Sequence, residues 1–488
     1  MRGTTRGGVE AFLGIPYAAA PVGERRFRSP EPAEPWSGDR PAGEFSAGPP
    51  QAVDAFVELL GLGPSGPMDE DCLYLNVWTP AADGGRRPVL VWVHGGAFAG
   101  GTACTPVYDG RRLARRGEVV VVTLNYRVGL LGFGCFESVP PNLGLQDQMA
   151  ALRWVREEIA GFGGDPDNVT LFGESAGAGS IAALCAMPGA RGLFRRAIVQ
   201  SAAPDGMIEP AEAERRARLL QARLGCEPRA EALRELPVER IVSAQTACAA
   251  EDGPFSSNML FLPVIDGDLL PRRPLHAFRD GHAFDGPLVI GTTAGEMGLY
   301  AREPAVSAFD PELLERYARS ALPPEIARDA VETYARELRG EGLAADAPAI
   351  FCAIESDRIL RVPSIRIAAW QSERQPQTYM YRFAWRSPIF GGALGSCHAL
   401  DLPFTFGTLD APGMREFAGH GEPARRLAGL LMDAWVAFAR SGEPSHAELG
   451  RWPAYESGRR LTLELGPDPE ILGAPGETAR SLWERVPD

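Results

Sequence analysis

The sequence predicts an α/β fold in which helices cover a large, mostly parallel sheet. Short apolar runs alternate with longer amphipathic segments in the first half of the chain, which is typical of repeated strand–helix–strand units. The predicted strands are apolar along their whole length, as expected for strands that are buried on both faces of a parallel sheet. With 45% hydrophobic and 23% charged residues, the composition is that of a globular protein.

The elements of the first half follow from the spacing of apolar residues and from the residues that interrupt it. Apolar positions between Leu145 and Phe162 recur at steps of three and four residues, which predicts a helix packed by one face. Glycine and proline at 163–166 end this pattern. In chain order, the predicted elements are strands at 89–93 and 119–124, the helix at 145–162, a strand at 169–172, a helix at 176–187 and a strand at 197–200.

The chain changes character twice in its second part. Residues from about 209 to 245 are rich in Arg, Glu and Ala at helical spacing, and a second helical stretch runs from about 311 to 370. We interpret these stretches as helical insertions on the sheet, at about 205–280 and about 303–375. Strands are predicted again at 287–290 and 378–385, followed by a last strong helix around residues 427–438.

The basic residues exclude several classes of enzyme. All 49 of them are arginine, and the chain contains no lysine. A pyridoxal-phosphate Schiff base, a phosphate-binding loop that ends in Gly-Lys-Ser/Thr and a Ser-x-x-Lys centre all need a lysine amine. The net charge of −14 also disfavours nucleic acid and anionic membranes as partners.

Export signals and metal motifs are not recognisable in the sequence. Residues 1–17 lack an apolar segment of signal-peptide length, and no run of 18 apolar residues follows. The eight cysteines are scattered, without Cys-x-x-Cys or a Cys/His cluster at metal spacing. We therefore expect a soluble cytoplasmic protein with buried, reduced thiols and no metal, although a bridge between Cys226 and Cys248 stays open.

The motif that carries chemistry is Gly-Glu-Ser-Ala-Gly at 173–177. It fits G-x-S-x-G, and it lies between a predicted strand and a predicted helix, as the nucleophile turn of an α/β-hydrolase requires. The small residues Gly173 and Gly177 permit a tight turn that exposes the hydroxyl of Ser175. The helix that starts at Ala176 directs its free N–H groups towards an oxyanion.

A second glycine-rich segment follows the predicted strand at 89–93. His94-Gly95-Gly96-Ala97 places small residues where a backbone must approach a ligand closely. In an α/β-hydrolase, a loop of this type supplies further N–H groups to the oxyanion. The alternative interpretation is an ordinary glycine-rich turn.

Together these segments resemble the type-B carboxylesterases, a branch of the α/β-hydrolase fold that includes bacterial para-nitrobenzyl esterases and animal cholinesterases. The resemblance covers nearly the whole chain. It is carried in order by the segments 12–17 (FLGIPY), 70–77 (EDCLYLNV), the His94 loop, 125–129 (NYRVG), 142–179 and 452–455 (WPAY).

The resemblance implies a serine carboxylesterase with a single α/β-hydrolase domain over residues 1–488. It implies that His398 is the base, that Glu296 is the acid and that small-molecule esters are the substrates. It requires no cofactor, and we expect a monomer or a weak homo-oligomer. The implied oxyanion donors are the N–H groups of Gly96, Ala97 and Ala176, with Gly95 and Glu174 in support.

The residues themselves narrow the choice of base but not that of the acid. Of the six histidines, His94 lies on the glycine loop, where we expect it to brace the loop. Four others have polar surroundings that predict surface positions: His276, His282, His420 and His446. His398 therefore remains as the candidate base. Glu296 follows a predicted strand by a short loop, as an acidic triad member should. The family usually has an acidic residue directly before it, whereas here Gly295 precedes it. The acids that stay open beside it are Asp266, Asp357 and Asp401.

Glu174 also allows two interpretations. We expect its carboxylate to be buried near the site, where it orders water or tunes His398. The alternative is a structural carboxylate that is held by hydrogen bonds.

Two other functions are less favoured by the sequence. Residues 177–182 fit a loose nucleotide-binding G-x-G-x-x-A pattern, but Gln200 and Ser201 stand where an acidic residue would be needed. A non-catalytic adhesion role would be expected to lack a triad member. Cholinesterases of the resembled family use an aromatic platform in the loop at 45–67 for quaternary ammonium groups, whereas this loop contains no tryptophan, which disfavours choline esters. In secreted relatives the cysteine that corresponds to Cys72 pairs with one upstream, whereas no cysteine precedes Cys72 here, which favours a reducing compartment.

Overall fold

In the computed structural model, which describes residues 1–136, 138–227, 229–251 and 260–486, eleven strands form one mixed sheet. Their order across the sheet is β1-β2-β3-β5-β4-β6-β7-β8-β9-β10-β11. The strands from β5 to β10 pair in parallel, and antiparallel pairs stand at both edges. In chain order, the strands are β1 (Thr4–Arg6), β2 (Val9–Pro16), β3 (Tyr74–Thr79), β4 (Arg87–Val93), β5 (Val120–Leu124), β6 (Gly164–Glu174), β7 (Arg196–Gln200), β8 (Leu288–Thr293), β9 (Thr378–Phe383), β10 (Leu461–Leu465) and β11 (Glu470–Gly473).

Helices cover both faces of this sheet and fill the two predicted insertions. In chain order, they are α1 (Ala55–Leu59), α2 (Arg111–Gly117), α3 (Gly129–Phe133), α4 (Leu143–Glu158), α5 (Ala176–Ala186), α6 (Pro210–Leu224), α7 (Ala230–Arg234), α8 (Val238–Glu251), α9 (Pro274–Arg279), α10 (Pro304–Ser307), α11 (Pro311–Ala321), α12 (Pro324–Gly340), α13 (Ala347–Ser356), α14 (Val362–Ser372), α15 (Leu402–Thr405), α16 (Met414–Ala418), α17 (Glu422–Ser441) and α18 (Glu477–Trp483). A π-helical turn, Asp357–Arg361, joins α13 to α14.

The central strands are buried on both faces, as predicted. In β4, Val89, Val91 and Val93 belong to the hydrophobic core on one side of the sheet. Leu90 and Trp92 belong to the core on the other side. Since neighbouring side chains of a strand point to opposite faces, a continuous apolar run is what this position in the sheet requires. The predicted α/β class with a mostly parallel sheet is confirmed.

Element ends differ from the predicted ones by a few residues. The predicted helix at 145–162 is α4 followed by a short 3₁₀ turn, Ile159–Phe162. Strand β6 starts at Gly164 rather than at 169, because the backbone already pairs with Arg87 there and the regular ladder resumes at Val169 after an irregularity. This polar lead-in to the strand has no apolar signal in the sequence.

The helices of the second predicted insertion share a hydrophobic core with the C-terminal helix. Helices α11, α12 and α13 pack with the C-terminal helix α18 around Leu314, Tyr334, Phe351 and Trp483. Met297, which directly follows Glu296, belongs to the same core. Residues 252–259 of the first insertion lie outside the described part of the chain. Within the described ranges, we find no helix with the length and apolar character that a bilayer crossing demands.

Candidate active site

Ser175 lies at the tight turn between β6 and α5. Its backbone has φ 57° and ψ −124°, a combination that non-glycine residues rarely adopt and that costs free energy. The glycines on both sides are sterically required, because a Cβ on Gly173 would stand 2.7 Å from the Val93 carbonyl oxygen and one on Gly177 only 2.0 Å from it. Ser175 is also partly exposed, while its neighbours in the turn are buried.

His398 and Glu296 meet beside the carboxyl ends of the parallel strands. Glu296 starts a 3₁₀ turn (Glu296–Tyr300) two residues after β8. Its Oε2 lies 2.6 Å from His398 Nδ1, and its Oε1 accepts a hydrogen bond from the Thr293 N–H at 2.7 Å. The His398 N–H donates to the Glu296 carbonyl at 3.0 Å. Both side chains are buried, so this contact makes Nδ1 the donor and leaves Nε2 as the basic nitrogen.

The other candidate acids have different partners. Asp266 accepts a hydrogen bond from Asn142, and Asp357 is paired with Arg361. Asp401 is fully buried near the site. Its Oδ2 accepts one hydrogen bond from Gln200 Nε2 at 2.8 Å and another from the Tyr381 hydroxyl at 3.2 Å. Burial raises the pKa of Asp401 to about 6.

Glu174 is buried against the imidazole on the side opposite Glu296. Its Oε1 lies 3.1 Å from His398 Nε2. Burial raises the pKa of Glu174 to about 8, although the positive charge of His398 acts against this. The Glu174 carboxylate therefore contacts the imidazole of His398 directly.

The titration of His398 depends on these carboxylates. Burial lowers the pKa of His398, but the charges of Glu174 and Glu296 outweigh burial and raise it above its ordinary value. Because Glu174 Oε1 and His398 Nε2 are in contact, a proton on one of them disfavours a proton on the other. The two groups therefore titrate as one coupled pair.

The Ser175 hydroxyl has no hydrogen-bond partner among the residues that the structure describes, and His398 Nε2 faces Glu174 instead. Nucleophile and base are often imperfectly aligned before a substrate binds.

The glycine loop lies directly against the nucleophile turn. A Cβ on Gly95 would stand 3.0 Å from the Ser175 Cβ and from Glu174 Oε2. Gly96 has φ 113° and Ala97 φ 53°, and in the described part of the chain their N–H groups donate to no other residue. Ala176 is the first residue of α5, so its N–H also has no partner within the helix. These three N–H groups can serve an oxyanion.

His94 holds this loop and is not a second base. It is fully buried, and burial lowers its pKa to about 4. Its Nδ1 lies 2.8 Å from the Gly95 carbonyl, and its ring stacks on Tyr126 at a centroid distance of 4.3 Å. The Tyr126 hydroxyl donates to the His94 carbonyl at 2.8 Å.

The remaining histidines are not all surface residues. His282 and His420 are exposed, whereas His276 and His446 are half-buried. His446 Nε2 lies 3.1 Å from the Leu430 carbonyl, so this partly exposed histidine also contacts the protein itself. The glycine and proline residues around it concealed this packing role.

Two glutamines support the site without any recognisable motif. The Gln200 carbonyl accepts the Ser175 N–H at 3.0 Å, while its side chain donates to Asp401. The side chain of Gln51 both donates to the Gly101 carbonyl and accepts the Gly101 N–H, at 2.9 and 2.7 Å. Only the position of Gln200 at the end of a predicted strand could have indicated such a role.

The cysteines and acidic residues do not form metal or disulfide sites in the described ranges. Cys226 and Cys248 are not joined by a disulfide, so the bridge that the sequence left open is not formed. No group of three or more His, Cys, Asp or Glu residues there is arranged to hold a metal ion.

Comparison with known proteins identifies relatives over nearly the whole chain. The model of the carboxylesterase family matches residues 1–483. The para-nitrobenzyl esterase of Bacillus subtilis is 39% identical, over 98% of this chain and 96% of its own length. The phenmedipham hydrolase of Pseudarthrobacter oxydans is 37% identical, over 99% of this chain and 95% of its own.

Solved structures agree with these sequence matches. A crystal structure of a Geobacillus stearothermophilus carboxylesterase at pH 6.2 superposes with a TM-score of 0.86 at 37% identity, covering 99% of this chain and 98% of the other. A structure of PNB esterase superposes with a TM-score of 0.84, also at 37% identity, and covers 98% and 97% of the two chains. The α/β-hydrolase fold and the resemblance that the sequence motifs indicated are thereby confirmed.

Proposed function

Since the chain belongs to the carboxylesterase family and is a carboxylic-ester hydrolase, we propose that it acts through an acyl-enzyme on Ser175, with His398 as general base and acid and Glu296 as its orienting partner. The observation that carries this proposal is the 2.6 Å contact between His398 Nδ1 and Glu296 Oε2. It makes Nε2 the nitrogen that can accept the serine proton, and it supplies a negative charge to the imidazolium that forms during the reaction.

Acylation starts when Ser175 Oγ attacks the carbonyl carbon of the ester. His398 Nε2 takes the hydroxyl proton as the Oγ–C bond forms, and the π electrons of the carbonyl move to its oxygen. The N–H groups of Gly96, Ala97 and Ala176 then stabilise that oxyanion. As the intermediate collapses, the C–O bond to the alcohol breaks, and the alcohol takes the proton from Nε2.

Deacylation repeats these steps with water. His398 removes a proton from the water as it attacks the acyl carbon, and Ser175 leaves with that proton. The carboxylic acid is released and the resting enzyme is restored. Glu174 acts by setting the protonation of His398, since its Oε1 lies 3.1 Å from Nε2. The chemistry uses only groups of the protein itself, and a monomer or weak homo-oligomer suffices for it.

The nucleophile can be tested by labelling. We expect the protein to hydrolyse short-chain p-nitrophenyl esters near neutral pH and to bind one fluorophosphonate per chain, because an activated serine attacks phosphorus as it attacks an ester carbonyl. The Ser175→Ala variant should lose the label and at least about 10³-fold in kcat. Ser201→Ala, which removes a neighbouring buried hydroxyl, should still be labelled. If Ser175→Ala reacts like the parent, the assignment of the nucleophile is wrong.

The acid can be tested against its competitors. Glu296→Gln should lower kcat by about 10²–10⁴-fold, because the amide cannot hold His398 in the reactive tautomer. Asp266→Asn and Asp357→Asn, whose carboxylates contact Asn142 and Arg361, should lose activity only as far as they lose folded protein. Circular dichroism with active-site titration separates the two effects. Full activity of Glu296→Gln together with an inactive Asp401→Asn would move the role of the acid to Asp401.

The substrate range is best tested with esters varied separately on their acyl and alcohol sides. The names of two relatives suggest the first compounds to include, which are para-nitrobenzyl esters and phenmedipham. If this chain hydrolyses either compound, it shares a substrate with that relative as well as the family.

A further inference from the structure

Four arginines converge on one small cavity beyond the active site. The cavity has a volume of about 20 Å³, and its lining includes Arg361, Arg382, Arg460 and Arg480. Arg361 lies in the π-helical turn, Arg382 in β9 and Arg480 in α18, and Arg460 directly precedes β10. About 10–15 Å³ is enough for one water-sized species, so the cavity has room for one small species but not for a carboxylate or phosphate ester.

The positive charges lie deeper than most of the negative charges that pair with them. The side chain of Arg480 is 8% exposed, whereas its partners Glu477 and Glu484 are 42% and 56% exposed. The same two glutamates pair with Arg460, and the exposed Glu341 pairs with Arg382. Solvent screens the outer carboxylates more than the inner guanidinium groups.

Two of the four arginines also have inner partners. Asp357 is buried beside Arg361, and Glu464 is mostly buried beside Arg382. These carboxylates balance two of the four inner charges. Arg460 and Arg480 have only the two outer glutamates as partners, and none of the described residues that line the cavity is a carboxylate.

Tyr455 adds a hydroxyl without a partner. Its side chain lines the cavity and is only 3% exposed. In the described part of the chain, nothing accepts or donates a hydrogen bond at this hydroxyl, although buried polar groups nearly always have a partner. Arg460 still has unused N–H groups, because its contacts with Glu477 and Glu484 engage two of the five that a guanidinium carries.

We propose that this cavity binds one small monovalent inorganic anion of about the size of chloride, held by the hydroxyl of Tyr455 and the guanidinium groups of Arg460 and Arg480. An anion only accepts hydrogen bonds, and these three side chains present donors. Guanidinium groups are weakly hydrated and give up their water readily to such a partner. The bound anion would connect Arg480 of α18 and Arg460, directly before β10, to Tyr455. These contacts would stabilise the folded protein.

Diffraction from crystals of the unmodified protein in bromide gives the direct test. Data collected at the bromine absorption edge should show an anomalous peak between Tyr455 and the two arginines. The proposal would be overturned if no anomalous peak appears there and the ordinary electron density shows a water molecule instead. Bromide that is found only on the exposed surface would also overturn it.

Thermal unfolding tests the same site in solution. Replacing sodium gluconate by sodium chloride at constant ionic strength should raise Tm by about 2–3 °C once chloride exceeds its Kd about 100-fold. The Tyr455→Phe variant should show no rise of Tm in chloride and should keep its esterase activity. The matched control is Tyr379→Phe, which changes a buried tyrosine of β9 that does not line the cavity, and it should keep the increment. Equal increments in all three proteins would contradict the proposal, and the bromide experiment decides it if Tyr455→Phe does not fold.

Discussion

At the scale of single residues, three buried carboxylates surround one imidazole. Glu296 binds Nδ1 of His398 and Glu174 faces Nε2, while Asp401 is held nearby by Gln200 and Tyr381. Burying several acids together is costly unless some of them stay protonated. Burial accordingly raises the pKa of Glu174 to about 8 and the pKa of Asp401 to about 6.

The pH dependence of activity should report the contact between Glu174 and His398. The proposed mechanism needs neutral His398, and a negative Glu174 raises the pKa of this histidine, so kcat/KM should rise with pH through an apparent pKa above the ordinary value of a histidine. In Glu174→Gln, the charge is gone while burial remains, so the acid limb should move to lower pH by about one unit. The measurement is kcat/KM for a neutral ester between pH 5 and 10.

The exposed Glu157, on α4, provides the control for this experiment, and Glu157→Gln should keep the parent profile. A profile that does not move in Glu174→Gln would mean that Glu174 already carries the proton throughout the acid limb. The proposed tuning role would then be wrong.

At the scale of elements, the turn from β6 to α5 depends on close contact between backbones. The Gly177 Cα faces the Val93 carbonyl so closely that a Cβ would lie 2.0 Å from its oxygen. Backbone cannot move aside as the end of a flexible side chain can. The G-x-S-x-G pattern is therefore a packing requirement of the joint between β4, β6 and α5, in addition to its role in the turn.

Replacing glycines in α5 should separate this packing requirement from helix propensity. Gly177→Ala should lower stability by about 1–3 kcal/mol, through overpacking, and should reduce kcat because the shift reaches Ser175. Gly179→Ala should be neutral or stabilising by up to about 1 kcal/mol, since its Cβ would meet Phe98 Cζ at an ordinary 3.5 Å and alanine favours a helix. Thermal unfolding and p-nitrophenyl ester assays compare the two variants. The reverse order of stability would show that the turn tolerates displacement of the backbone.

At the scale of the whole molecule, buried arginines connect segments that are distant in the sequence. Arg127 pairs with Asp147 of α4 at 2.6 Å, and both side chains are almost completely buried. Arg127 also donates to the Arg28 carbonyl. Arg26 in turn pairs with Glu70 and donates to the carbonyl groups of residues 233, 234 and 236 in the first insertion. Because these links join the first predicted insertion to the N-terminal part of the chain, we propose that residues 1–488 form one domain.

Removing one partner of the buried pair should affect the whole domain. Arg127→Met should cost about 3–5 kcal/mol, because it leaves the Asp147 charge buried and unpaired. Arg316→Met, which breaks an exposed pair with Glu312 on α11, should cost about 0.5 kcal/mol or less. Calorimetry should show one unfolding transition in the parent and in both variants, shifted strongly only by Arg127→Met. A separate early transition for an insertion would contradict the single domain.

The features that could be predicted from the sequence are those that depend on residues close together in the chain. The class of fold, the strand–turn–helix around Ser175 and the glycine loop follow from local apolar patterns and from steric needs that nearby glycines meet. The family resemblance added Glu296 and His398 as the implied acid and base, whereas the residues alone left three aspartates open.

Only the tertiary structure decided which carboxylates meet the imidazole. Glu296 and His398 are 102 residues apart in the sequence, and they touch because parallel strands bring their carboxyl ends to the same edge of the sheet. The same register turns Glu174 towards Nε2 and closes the arginine-lined cavity around Tyr455. Contacts between distant segments depend on how whole elements pack, and no short stretch of sequence encodes that packing by itself.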